Sequence, residues 1–158
     1  MVATRSGTSP STERELVITR VFEARRELVF AAWTEREHLD RWQGAPQGFT
    51  VTVEQSDIRP GGKYRICMRS PDGVDHWLQG TYREVVHPER LVFTHMWTDA
   101  HGTPGPETLV TVTLVEHAGK TELTLRQTGF PSDGSRDGHR DGWTSTFDRL
   151  AEYLGGLR

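Results

Sequence analysis

The chain has 158 residues, 34% of them hydrophobic and 26% charged, with a formal net charge of −3 and a single cysteine. That is enough for one domain with a real core. It offers neither the clustered positive charge of a nucleic-acid or membrane-surface binder nor an apolar run near the roughly 18 residues a membrane span needs. The lone Cys67 excludes an intrachain disulfide, and the N-terminus lacks a basic-then-apolar leader, so the sequence reads as cytoplasmic.

Residues 1–13 are small, polar and broken by Pro10, and are expected to form a disordered arm ahead of one domain over residues 14–158. "ELVITRVFE" (15–23) has strand composition, with Leu16, Ile18, Val21 and Phe22 as its candidate buried members. In "LVFAAWTEREHLDRWQGAP" (28–46), Leu28, Val29, Phe30, Ala32 and Trp33 spread over roughly half of a helix circumference, which implies burial on more than one side. Thr34 followed by Glu37 matches a capping box, so a second short helix is expected to begin at Thr34, carry Leu39 and Trp42 on one face, and stop at Gly44 and Pro46.

Six strands follow, separated by "RPGGK", "SPDG", "HPER" and "HAG" turns and by one longer Gly/Pro-rich connection over 99–107. Their alternation is clean. Tyr64, Ile66 and Met68 share one face while Lys63, Arg65 and Arg69 share the other; Leu91, Phe93, His95 and Trp97 share a face, as do Val110, Val112 and Leu114. This is the pattern of an antiparallel sheet with one wet and one covered face. Trp77 and Tyr82 fall on opposite faces of one strand, and the sequence does not say which points inward. In "HRDGWTSTFDRLAEYL" (139–154), Trp143, Phe147, Leu150 and Leu154 recur at helical spacing, so a long amphipathic helix is expected to cover the sheet, preceded by a glycine-rich loop over 132–138. Gly142 sits at the edge of that stripe, where a close backbone approach would offset its cost of about 1 kcal/mol relative to Ala. The order is β–α–α–β6–α, an α+β fold with helices on one face of a curved sheet.

In that order, "ARRELVFAAWTEREHLDRW", "RPGGKYRICMRSPDG", "GTYREVVHPERLVFT", "VTVTLVE", "KTELTLRQ" and "GWTSTFDRLAEYL" resemble the AHSA1-like (activator of Hsp90 ATPase homologue) family of the START/Bet v 1-like, SRPBCC superfamily. The resemblance spans residues from about 15 to 154. It departs from the family's habits at Arg25, where proline is common, and at Trp42-Gln43-Gly44-Ala45-Pro46, where a Trp-Trp-Gly-Pro signature is usual. It implies a helix-grip fold, a sheet of about seven strands wrapped around the C-terminal helix, with a cavity between them for apolar or aromatic small molecules. Geometry points the same way: a bent sheet meets a straight helix best at its ends, leaving space midway.

Core packing is the leading reading for Trp33, whereas Trp42, beside the Gly/Pro loop, reads about equally as core and as a ligand contact at the cavity entrance. Tyr64, Met68, His95 and Trp97 project from the covered face, and His139 and Trp143 from the helix stripe, so these seven candidates for ligand contact end with Trp143. A core built only for packing would more cheaply use Leu or Phe than Tyr64 or His95, whose polar groups need partners if buried. His95 and His139 are also weak candidates for a general acid or base. "GSRDG" is not a nucleophile elbow, "RPGGK" is not a phosphate loop, and no histidine pair has helical metal-ligand spacing, so neither cofactor nor metal is expected. Arg65 and Arg69 beside Cys67 would favour a lowered thiol pKa, although an incidental surface thiol is the simpler reading.

Three functions are compatible with this. Binding of a small apolar or aromatic ligand leads; a polyketide cyclase or aromatase-like enzyme with His95 or His139 and Tyr64 is the alternative; an Hsp90 co-chaperone-like module ranks last. Oligomeric state and ligand identity are not legible.

Overall fold

A computed structural model describes residues 14–42, 48–98 and 101–157. The expected N-terminal arm and the Gln43–Pro46 helix stop lie outside them. A seven-stranded antiparallel sheet is built from β1 (Leu16–Phe22), β2 (Thr50–Ser56), β3 (Lys63–Arg69), β4 (Asp75–Val86), β5 (Arg90–Thr98), β6 (Thr108–His117) and β7 (Lys120–Thr128). Helices α1 (Arg26–Thr34) and α2 (Arg36–Trp42) follow β1, and α3 (Asp133–Leu157) ends the fold. The sheet order is β1-β7-β6-β5-β4-β3-β2, so β2 to β7 form a meander, β1 closes onto β7, and α1 and α2 lie between the two edge strands in sequence.

The period-2 pattern survives almost everywhere. Tyr64, Ile66 and Met68 are buried while Lys63 and Arg69 are exposed. In β1, Leu16 and Phe22 are buried but Val21 is 55% exposed, because it falls on the outer face beside the buried Phe22. The structure also settles the ambiguous pair: Tyr82 packs inward against Tyr64 and Phe93 at ring distances of 5.5 Å each. Trp77 lies outside, with the Arg65 guanidinium 4.0 Å above its ring. Cys67 shares that outer face. Partial burial and the neighbouring Asp75 push its thiol pKa up, which outweighs the lowering by Arg69 and leaves the thiol unactivated.

The helix boundaries differ from expectation at two points. Thr34 does not open a capping box; it stays in α1 and turns its hydroxyl back onto the Phe30 carbonyl at 2.9 Å. The break falls at Glu35, whose carbonyl accepts the first α2 bonds from His38 and Leu39. In α3, the segment read as a loop is already helical from Asp133. The cap is Ser132, whose side-chain oxygen accepts the Ser135 N–H at 3.1 Å. Ion pairs of Arg136 with Asp137 at 3.1 Å and with Asp133 at 3.8 Å run along the same turn, although exposed pairs contribute little.

The core lies between the inner sheet face and the helices. Phe147, Leu150 and Leu154 of α3 are at most 2% exposed and meet Val29 and Trp33 of α1 and Leu123 and Leu125 of β7, all equally buried. Phe147 packs edge-on against Phe22 and Trp33. The C-terminal half of α3 is therefore packed into the core.

Candidate functional site

The space between helix and sheet sits beside the N-terminal half of α3, not at its middle. The reason is written in residues 133–142, which read Asp-Gly-Ser-Arg-Asp-Gly-His-Arg-Asp-Gly. A step of four residues turns a helix about 40° past a full circle, so Gly134, Gly138 and Gly142 form one slowly drifting strip. All three line the cleft, and a Cβ built on Gly138 or Gly142 meets nothing within 4 Å. The close approach expected at Gly142 is thus replaced by its opposite. Where Phe147 and Leu150 fill the gap further along, the glycines leave it empty.

The result is a cleft of about 480 Å³, open on one side among the described residues. That volume is in the range for a single small ligand. The sheet side is built by alternation and register. His76 pairs with Met68, and Leu78 with Trp97, which puts these four on one inner face across β3, β4 and β5. Two residues further along β5, His95 extends the same wall. Phe49, just before β2, lies 6.0 Å from the His76 ring and closes one side.

Five of the seven candidates come together here: Met68, His95, Trp97, His139 and Trp143 all line the cleft. Two do not. Trp42 is fully buried, donates its indole N–H to the Ala32 carbonyl at 2.8 Å and packs 4.9 Å from Trp33. It is core, not an entrance gate, because α2 folds back over α1. Tyr64 touches a small void of about 20 Å³ beneath the cleft floor. Its hydroxyl donates to the Thr94 carbonyl at 2.6 Å, and burial holds its pKa well above the usual phenol value. With that carbonyl occupied, the Thr81 N–H turns to the Thr94 hydroxyl at 2.8 Å. Tyr64 thereby sets the β5 backbone immediately before His95.

Reading the sequence alone missed His76, Leu78, Phe49 and the glycine strip. The signals were present: His76 has the parity of Leu78, and the glycines recur every four residues.

Polar groups around the cleft are mostly satisfied. Trp97 donates its indole N–H to His139 Nε2 at 3.2 Å, and the other ring nitrogen of His139 lies 2.7 Å from the Ser135 carbonyl. Both bonds form only if Nδ1 carries the proton, which fixes the tautomer. Trp143 donates to Gln127 Oε1 at 2.8 Å, Gln127 Nε2 to the Thr108 hydroxyl at 2.8 Å, and that hydroxyl to the His95 carbonyl at 2.9 Å. This buried chain ties α3 to β5. The His95 ring itself is different. It is 4% exposed, and its Nδ1 is enclosed without a partner among the described residues. Burial, helped by the neighbouring His139, pulls its pKa down to about 3, so the ring is neutral.

Residues 23–155 match the family described as activator of Hsp90 ATPase homolog 1-like protein. The chain belongs to the AHSA1-like family. Solved structures agree: a protein from Chromobacterium violaceum is 26% identical with a TM-score of 0.82, covering 90% of this chain and 97% of that one. The AHSA1 protein from Silicibacter pomeroyi is 27% identical with a TM-score of 0.81, covering 91% and 99%. A Rhodobacter sphaeroides protein follows at 25% identity and a TM-score of 0.80, covering 95% and 97%. A search of curated proteins finds no significant match. The helix-grip α+β architecture of AHSA1-like structures in the SRPBCC superfamily is therefore that of this chain, and the superfamily is one of ligand-binding folds. Among the described residues, no helix is long and apolar enough to cross a membrane.

Proposed function

We propose that this AHSA1-like protein binds a small apolar or aromatic molecule in the cleft between α3 and the sheet. The observation that carries the reading is the pairing of an apolar wall, formed by Met68, Leu78, Trp97 and Trp143, with a helix face kept bare by Gly138 and Gly142. Glycine inside a helix costs about 1 kcal/mol relative to Ala. Neither glycine is needed for packing, so their support for the reading is that they keep a volume open at a cost to stability. A ligand that loses about 200 Å² of apolar surface there gains about 5 kcal/mol before association costs.

Binding is favoured over proton-transfer chemistry by the state of the two histidines. Both ring nitrogens of His139 are engaged, with Trp97 and Ser135. His95 is held neutral by burial, far from the pKa a general base near neutrality needs.

The test is a titration with a panel of flavonoids, polyketides and fatty acids, followed by tryptophan fluorescence, since Trp97 and Trp143 both line the cleft. Saturable quenching with a Kd below about 100 μM is expected, equivalent to about −5.5 kcal/mol. The same ligands should fail against Met68→Trp, which fills the cleft from the sheet side. No saturable response from any member of the panel, or quenching indifferent to Met68→Trp, removes the proposal.

A further inference from the structure

Resting on that binding reading, we infer that the Trp97–His139 hydrogen bond is an acid-released latch on the cleft. While the His139 ring is neutral, the bond holds the first turns of α3 against β5; a proton on that ring frees those turns and loosens the site. The indole N–H of Trp97 can only donate, and it reaches His139 Nε2 at 3.2 Å. The opposite ring nitrogen, Nδ1, lies 2.7 Å from the Ser135 carbonyl. A neutral ring serves both partners, accepting at Nε2 and donating at Nδ1. A protonated ring carries a hydrogen on each nitrogen, so its Nε2–H would face the Trp97 N–H with no acceptor between them. The bond is then lost, and two donors in contact are relieved only by moving apart.

Among the described residues, no carboxylate lines either pocket beside His139. From β5 it meets His95, neutral and 5.5 Å away between ring centres. From the preceding loop it meets Phe130 at 5.1 Å. His76 of β4 also lines the cleft but is exposed and packs on Phe49. The remaining charged groups on the flanking elements, His101 and Glu107 before β6 and Asp137, Arg140 and Asp141 of α3, are exposed. Arg136 is paired with Asp133 and Asp137.

The latched segment has little else to hold it. The buried side chains of α3 begin at Thr146, none lies within residues 133–142, and three of those ten positions are glycine, which weakens a helix. Besides the contacts of His139, these turns have the Ser132 cap and an exposed Arg14–Asp133 pair at 3.4 Å, and such pairs contribute little. Beyond them, Trp143 is bonded to Gln127 and Phe147 is buried, so the rest of α3 stays in place. Segments with few buried apolar contacts open locally while the remainder stays folded. Gly134, Gly138 and Gly142 line the cleft, so that wall moves with the latch.

The test follows ligand-free protein by NMR from about pH 8 to about pH 5, the range in which histidines commonly titrate. The His139 ring nitrogens, the Trp97 indole N–H and the amide protection factors of α3 are read in the same samples. At the midpoint where His139 gains its proton, the Trp97 indole resonance should shift. Protection over 134–142 should fall there about fivefold or more, the equivalent of one net hydrogen bond, while protection over 146–154 should not follow that midpoint. His139→Gln offers the indole a carbonyl and does not titrate, so it should keep its protection at every pH. His139→Phe offers no acceptor and should show low protection throughout. His76→Gln should respond as wild type does. Calorimetry with 2-naphthol, an aromatic probe uncharged across this range, should show about a fivefold or greater loss of affinity over the same midpoint in wild type and none in His139→Gln. The wild-type measurements keep the test decisive should a variant fold poorly. Protection or 2-naphthol affinity that is unchanged across the His139 midpoint overturns the latch, as does a His139→Gln variant that still responds to acid, and cleft binding then stands. If 2-naphthol and the wider panel bind at no pH, the binding reading falls, and the latch is decided by the ligand-free exchange alone.

Discussion

Replacing Gly138 or Gly142 by Ala tests the glycine strip directly, because stability and binding should move in opposite directions. The added Cβ meets nothing within 4 Å at either position, so no clash opposes the change. Each substitution removes backbone freedom from the unfolded chain and should stabilise the protein by about 0.5–1 kcal/mol. For a domain of this size that raises Tm by about 1–4 °C per site, and the double variant by about twice as much. The same methyl projects into the cleft, where one carbon of misfit is worth about 1–3 kcal/mol, or roughly 10- to 200-fold in affinity. Thermal unfolding by circular dichroism without ligand, paired with calorimetric titration of 2-naphthol, reads both effects. A fall in Tm would mean that the glycines serve a backbone or packing need and that the wall is not open. A rise in Tm with unchanged affinity would place the ligand elsewhere.

Three further outcomes follow from particular contacts. His95 is neutral when folded, with a pKa of about 3, against an ordinary value near 6.5. Between those values the unfolded chain binds the extra proton, so this stabilisation is complete above about pH 6.5 and is lost as pH falls, by about 1.4 kcal/mol per unit. Urea titrations at pH 6.5 and 5 should therefore show a smaller acid loss in His95→Phe than in wild type, and equal losses would contradict the burial argument. Gly80→Ala should cost at least about 3 kcal/mol, because its Cβ would lie 1.9 Å from the Thr94 carbonyl oxygen and 2.7 Å from Tyr64 Cε1; chemical denaturation that finds less than about 1 kcal/mol would refute the close approach. Ala118 has φ of 53° beside Gly119 at 81° in the two-residue β6–β7 turn. Ala118→Gly should thus stabilise by about 0.5–1 kcal/mol in the same assay, since the left-handed region strains any Cβ.

Much of this protein is legible residue by residue. Strand alternation placed Tyr64, Ile66 and Met68 inside and Arg65 outside, and the spacing of Phe147, Leu150 and Leu154 set the buried stripe of α3, because both depend on local backbone periodicity. Trp42 shows the limit. Its position before a Gly/Pro loop suggested an entrance, yet the fold-back of α2 over α1 gives its indole a backbone partner at Ala32 and full burial. Tyr64 shows another: its inward direction was readable, but its bond to Thr94 depends on Gly80 letting β4 approach β5.

What the amino-acid order by itself determined was the element sequence, the inner face of most strands and the family, since these follow from short-range pattern, whereas the inward side of β4 was left to the tertiary structure. Only tertiary structure decided that His95, Trp97, His139 and Trp143 converge, that His95 is left without a partner, and that the opening lies beside the glycine half of α3. Those features belong to pairs of surfaces from segments dozens of residues apart, and a void is set by where both surfaces stop.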